Sequence, residues 1–394
     1  MNVCMAIIGR ENWGRLQPLA EAIYEYQHVY MNPSYQNSET CSHYLAKPFE
    51  LDIICGGSAT VERFGNVAKW IEVELPVGVH RLHSELEGDS PVVKARSLGL
   101  TTMDYAAALD RLKPDVLLLI GDRYEALGVA CAAVTMRIPL VHLQGGEVSG
   151  ALDERYRHAI SKLSDWHVPA TERAKQNLIR MGERPESILT VGCPSSDLAR
   201  HVKIERTQEQ PYLLVAYHPN TTHAETAADE MRTVLQACES FDMRVKVFQP
   251  NIDFGSGGIA AVIKDYHAFE VIRNLSPLDY ASLLANAACA VGNSSSFVRD
   301  SGFYGTPVVL VGDRQSMREC SGNVVRTIAS AGDIRWCIEG QLKDGRYPPS
   351  DLYGDGHVCE RIVKALLDLP KYGQKRLAYE ELEPVTCSDW TGAE

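Results

Sequence analysis

Short apolar runs recur along the chain. Each is followed by a glycine or polar turn, then by a longer stretch with apolar residues every three or four positions. That pattern predicts buried strands alternating with amphipathic helices. In the first half the strands fall at residues 3–8, 49–55, 71–75, 115–120, 140–143 and 167–169. Helices fall at 15–26, 64–70, 92–112, 126–136, 153–163 and 171–181. Met103 and Leu109 are assigned to the apolar side of the helix over 92–112, and Thr171 to an N-cap. The run 115–120 reads as a central parallel strand, because nearly all of it is apolar. Residues 31–48 and 80–91 lack periodicity and read as connections.

Residues 205–211 are polar and read as a linker, after which the alternation restarts. Strands are predicted at 212–217, 245–249, 269–273, 287–291 and 308–311, and helices at 224–241, 258–266, 277–287, 297–304 and 361–369. Strand and helix alternating on both sides of a linker predict an α/β fold. The expectation is two Rossmann-like, doubly wound domains, residues 1–203 and 204–370, facing a cleft. The tail, 371–394, is expected to pack back on the first domain. At 394 residues the chain also exceeds one ordinary core.

Ligands of doubly wound sheets bind at the carboxyl ends of the strands, and the polar residues of this chain gather there. The run 287–291 ends in Gly292-Asn293-Ser294-Ser295 and opens a helix carrying Arg299 and Asp300. Free N–H groups and hydroxyls at such a turn suit a phosphate, although a serine-capped βα turn reads the same way. Arg314 lies just past the next strand. Arg10 and Arg15 follow the first strand, placed to bind phosphate or simply to solvate a helix. Asp122 and Arg123 end the apolar strand 115–120, a position that packing explains poorly. Alternation puts His142 and Gln144 on one side of their strand. The following Gly145-Gly146 points to close approach of backbone and ligand, with Glu147 next. Asp153 and Glu154 open a helix that carries Arg157 and His158 one turn later; acids there are also ordinary dipole partners. His218-Pro219 aims an imidazole at the cleft. Asn251 and Asp253 end the next strand among turn formers.

Composition narrows the partners. A net charge of −12 argues against a nucleic-acid surface. No apolar run reaches membrane-spanning length, and the first residues show no basic region of a signal peptide. The eleven cysteines are scattered without a CxxC pair, as expected of thiols in a cytoplasmic protein. The twelve histidines show no metal-ligand spacing, so no metal is expected.

Taken in order, several stretches resemble the hydrolysing UDP-N-acetylglucosamine 2-epimerases of the sialic-acid pathway. They are Gly121-Asp122-Arg123, His142 with Gly145-Gly146-Glu147, Asp153 with Arg157-His158, Gly192-Cys193-Pro194-Ser195, His218-Pro219, Pro250-Asn251 with Asp253, Gly292-Asn293-Ser294-Ser295, Gly305-Thr306-Pro307, and Arg314-Gln315 with Arg318. The resemblance implies a glycosyltransferase-B-like fold whose second domain holds most of the nucleotide. It implies that Ser294 and Ser295 bind the β-phosphate with Arg10 nearby, and that Asp300 stands where the family has a ribose-binding glutamate. It implies a two-stage reaction on a nucleotide-sugar: the nucleotide leaves C1 as the C2 proton is removed, then water adds to the glycal. No cofactor and no metal are implied, and a homo-oligomer formed through the first domain is.

The chain departs from the family at four polar positions. Asn12 replaces an acid, Ile120 and Ala59 replace histidines, and Gln144 replaces a glutamate. An amide cannot serve as a general base. One reading keeps the family reaction, with Asp122 as principal acid/base, Asp153 as the second and His218 assisting the leaving group. A second is a lyase or dehydratase acting on a nucleoside or nucleotide-sugar. A third is an inactive nucleotide-sugar sensor.

Overall fold

The two alternating halves fold as two sheets. The computed structural model describes residues 1–31, 49–88, 90–204, 210–220, 222–250, 253–369 and 375–378. In the first half β1 (Asn2–Ile7), α1 (Arg10–Met31), β2 (Glu50–Cys55), α2 (Val67–Glu74), β3 (Gly78–Arg81) and α3 (Pro91–Leu112) follow one another. Then come β4 (Val116–Ile120), α4 (Tyr124–Thr135), β5 (Leu140–Leu143), α5 (Asp153–Leu163), β6 (Trp166–Val168) and α6 (Glu172–Arg180). The second half begins with β7 (Tyr212–Ala216), α7 (Ala227–Glu239), β8 (Arg244–Phe248), α8 (Ser256–Asp265), β9 (Glu270–Ile272) and α9 (Pro277–Ala285). It continues with β10 (Cys289–Gly292), α10 (Ser295–Arg299), α11 (Ser301–Tyr304), β11 (Val308–Val311), β12 (Val324–Thr327), α12 (Ala331–Asp344) and α13 (Val358–Leu367).

The strand orders are β3-β2-β1-β4-β5-β6 and β12-β11-β10-β7-β8-β9, with parallel pairing throughout. Counted from its own first strand, each sheet follows the same doubly wound order. The winding reverses between β1 and β4 in one sheet and between β7 and β10 in the other. A crevice opens at such a reversal, outside the carboxyl ends of the strands. Two crevices are therefore fixed before any side chain is considered.

Strand β4 is buried along its whole length, which is why its residues are all branched and apolar. Thr171 caps α6 by accepting from the Ala174 N–H, as its position predicts. Gly292 has φ of +144°, and a Cβ there would lie 2.1 Å from the Ala216 carbonyl oxygen. Glycine thus lets β10 end hard against β7. Gly292→Ala is expected to cost about 1–3 kcal/mol in backbone strain alone, read as a fall in Tm with urea slope unchanged.

Two predicted features change. Residues 71–74 belong to α2, with Leu75 as its C-cap, and the strand lies further on at β3. Met103 is 70 % exposed, whereas Leu109 is buried as expected. β12 and α12 carried no reading from the sequence. The loop expected over 31–48 falls, from residue 32, outside the described residues, as does most of the linker.

The chain crosses between the sheets twice. Residues 193–204 leave the first half and pack against the second sheet through Cys193 and Leu198. After α12 the chain returns, and α13 buries Val358, Ile362, Val363 and Leu366 in the core beneath β1 and β2. The crossings meet at buried Asp197, whose carboxylate accepts the Val358 and Cys359 N–H groups, both at 2.9 Å, at the start of α13. Near the end of the described chain, the Lys375 ammonium reaches buried Glu183 at 2.7 Å, and the Ala378 N–H reaches the Gly182 carbonyl. Both acceptors belong to the first half.

Candidate active site

The two reversal points face one cleft. From the first sheet come Arg10, Asn12 and Arg15 after β1, Asp122 and Arg123 after β4, and Asp153 and Arg157 on α5. From the second come His218 after β7, Asp253 after β8, Ser294, Ser295, Arg299 and Asp300 after β10, and Arg314 after β11. Most of the residues singled out from the sequence therefore meet. Asn251 lies outside the described residues.

Asp122 is gripped from several sides. Arg157 donates to its Oδ2 through Nε at 3.1 Å and through Nη2, and Arg318 approaches to 3.7 Å. Burial opposes its charge, but Arg157, Arg318, Arg299 and Arg15 together hold the carboxyl far below the usual carboxylate range. The arginines thus favour the anionic form of Asp122, the group expected from the sequence to be the principal acid/base.

Asp153 behaves oppositely. Burial, then the Asp122 and Asp253 carboxylates, push it up to about 6 against the pull of Arg314 and Arg157. Two carboxyls of one cleft are thus separated by environment, the condition for acid–base work near neutrality. His218 is driven down to about 3 by burial and Arg314, so its imidazole is neutral. Its backbone N–H donates to Asn293 Oδ1 and its carbonyl accepts from Asn293 Nδ2, both at 2.8 Å, stapling the ends of β7 and β10.

Other candidates have structural tasks. His142 is fully buried, with Nε2 2.8 Å from the Gly121 carbonyl and Nδ1 3.0 Å from Ser161 Oγ. Burial lowers its pKa to about 4, and it does not line the cleft. Gln144 lies beyond the end of β5 at φ +62°, so strand alternation does not govern it. Glu154 Oε1 accepts the Ser149 and Gly150 N–H groups and closes that loop. Gly145 and Gly146 are explained by packing: Cβ atoms there would meet His142 Nδ1 at 2.8 Å and the Ala174 carbonyl at 2.2 Å. Asn12 accepts the Ile8 N–H at 3.1 Å and so braces its own turn.

The cations divide similarly. Arg123 crosses the cleft to Asp253 at 2.7 Å and also touches Glu125 at 3.1 Å. That pairing, with help from Arg314, outweighs burial and lowers the Asp253 carboxyl. Arg10 also crosses, donating to Asn274 Oδ1 at 2.7 Å and to the Gln249 carbonyl at 3.1 Å. Glu147, 5 % exposed, receives Arg299 at 2.6 Å and Arg318 at 2.8 Å on one oxygen. Burial opposes its charge, and the two guanidinium groups still bring it down to about 2. It clamps the two halves together and does not line the cleft. Arg314 donates to the Asn293 carbonyl at 3.1 Å, and among the described residues it makes no ion pair.

Several cleft residues were not candidates. Ser195 donates to Asp300 Oδ1 at 2.8 Å. Tyr280 bonds Ser296 and lies 5.3 Å from the Phe248 ring, which with Leu275 and Pro277 makes an apolar wall beside the serines. Tyr280 and Phe248 sit in an ordinary helix and strand end, where sequence offers no signal.

A model of the UDP-N-acetylglucosamine 2-epimerase family matches residues 44–367. A UDP-N,N'-diacetylbacillosamine 2-epimerase (hydrolyzing) from Legionella pneumophila is 35 % identical over 293 residues, 71 % of this chain and 78 % of that protein. A GDP/UDP-N,N'-diacetylbacillosamine 2-epimerase (hydrolyzing) from Campylobacter jejuni is 31 % identical over 296 residues, 71 % of this chain and 77 % of that protein. The fold matches that of the UDP-GlcNAc 2-epimerase from Neisseria meningitidis bound to UDP-GlcNAc, with a TM-score of 0.73 at 16 % identity over 94 % of this chain and 100 % of that one. With a family match over most of its length and a 35 % identical relative aligned over more than two thirds of both chains, the chain belongs to the UDP-N-acetylglucosamine 2-epimerase family.

Proposed function

We propose that the protein is a hydrolysing 2-epimerase of a UDP-linked acetamido sugar, of the N-acetylglucosamine or diacetylbacillosamine type. Asp153 carries the reading. It is a carboxyl near pH 6 in a cleft whose other acids are held as anions by arginines or bonded to Ser195. In this reading Asp153 takes the C2 proton as the bond from C1 to the diphosphate breaks. The electron pair of the C–H bond forms the C1–C2 double bond, and the nucleoside diphosphate leaves with the C1 oxygen. Water then adds across the glycal, its hydroxyl to C1 and its proton to C2, releasing the 2-epimer. His218, neutral, donates a hydrogen bond toward the leaving oxygen. Ser294, Ser295 and Arg314 receive the diphosphate. The wall of Phe248, Leu275 and Pro277 suits the flat face of the base. Asp122 holds Arg157 and Arg318 rather than moving protons.

A second reading, elimination without epimerisation, is favoured by the amides at 12 and 144, which replace acids and cannot return a proton. Incubation with each UDP-sugar in deuterated water, followed by NMR, separates the two. Free 2-epimer bearing deuterium at C2, with UDP, is expected. An unsaturated sugar that never gains water would select the lyase. No turnover by folded protein of either sugar would reject the epimerase.

A further inference from the structure

Beneath the cleft floor one chain of hydrogen bonds joins the two halves. Arg15 Nη1 donates to Gln144 Oε1 at 2.7 Å, and Gln144 Nε2 donates to Cys193 Sγ. Cys193 Sγ lies 2.9 Å from Ser195 Oγ, which donates to Asp300 Oδ1 at 2.8 Å. The ends fix the direction. A guanidinium only donates, so Gln144 must turn its oxygen to Arg15 and its nitrogen to sulfur. Ser195 gives its proton to Asp300, so the thiol proton points at Ser195. Burial pushes the Cys193 thiol up to about 11, which keeps that proton in place.

The chain thus holds a cation and a carboxyl at its two ends without pairing them. Arg15 also donates through Nε to the Glu11 carbonyl at 3.2 Å, another neutral acceptor. Among the described residues it makes no ion pair. Arg157, Arg123, Arg299 and Arg318 all have carboxylate partners. Burial, then Arg299, lower the pKa of Arg15 against the pull of Asp122, Cys193 and Glu11, so an arriving anion would favour its charge.

We propose that Gln144 is a positioning residue that holds Arg15 at the cleft without a direct carboxylate partner, and that Arg15 thereby binds a phosphate group of the substrate. A carboxylate at 144 would hold the guanidinium in the same place and cancel its charge. The amide holds it and leaves the charge for the ligand. This deepens the nucleotide-sugar reading and rests on it.

Titration calorimetry of the full chain with UDP, inorganic pyrophosphate and uridine tests it. Gln144→Glu is expected to weaken UDP and pyrophosphate at least about tenfold and to leave uridine unchanged. Arg15→Met is expected to do the same, and the double variant to lose nothing more than Arg15→Met alone. Arg15→Lys, which keeps a charge, is expected to recover part of the loss. Equal affinity of Gln144→Glu and the parent for both anions overturns the proposal. So does a fall that spreads equally to uridine. Should Gln144→Glu fail to fold, unchanged pyrophosphate binding in Arg15→Met is decisive against it. Pyrophosphate bound without UDP would reject the nucleotide reading and leave this one standing; neither anion bound would reject both.

Discussion

Asp153→Asn is expected to lower kcat by about a thousandfold, within the span general acid–base groups ordinarily contribute. The amide keeps the shape and removes the proton acceptor. The parent enzyme should lose activity as pH falls through about 6, because protonated Asp153 cannot accept the C2 proton. The variant should lack that limb. Stability should move the other way. Asp153 binds its proton more tightly folded than unfolded, so ionising it destabilises the fold. That cost grows as pH rises from the unfolded value, near 3.9, to about 6, and is constant above. Asp153→Asn should therefore be more stable than the parent at pH 8, on the order of 2 kcal/mol, and indistinguishable at pH 4. A variant both active and unchanged in Tm at pH 8 would remove Asp153 from the mechanism.

Glu147→Ala is expected to carry the largest loss of stability, about 3–5 kcal/mol in urea unfolding, because it strands two buried guanidinium groups beside each other. The pH dependence supplies a second check. The folded pKa of Glu147 is about 2, below its unfolded value, so its contribution is complete above about pH 4.3 and disappears as pH falls toward 2. The gap between parent and variant should narrow over that interval. Since Arg299 and Arg318 belong to the second half and Glu147 to the first, the variant should also open the cleft, read as a rise in radius of gyration without ligand. A gap that ignores pH would mean the clamp acts through packing alone.

Much of this fold could be read from the sequence because a buried parallel strand leaves a compact apolar signature. Patterning alone places both ends of β5 and of α5, and misses the start of β4 by one residue. The failures are instructive. Ile71, Val73 and Leu75 alternate like a strand, yet Val73 is 87 % exposed and the buried pair, Ile71 and Leu75, is one helical turn apart. β12 is a short edge strand with exposed residues, so it lacks the apolar signature. At the site, sequence located the strand ends, since topology puts them together. It could not assign partners. Whether an acid is a base, a clamp or a loop brace depends on which arginines or N–H groups converge on it. That separated Asp153 from Asp122, Glu147 and Glu154, and it showed what Gln144 holds.

The return of α13 to the first core has a consequence for how the protein is made. Its apolar face completes a surface beneath β1 and β2 that the earlier chain leaves bare. On the ribosome that surface stays open while the entire second sheet is synthesised, about 150 residues, or roughly 10–30 s at ordinary elongation rates. The later half can close first, and the earlier one must wait for it. Nascent chains halted before Val358 should accordingly bind chaperones through their first third, and release from the tunnel should be the event that seals it.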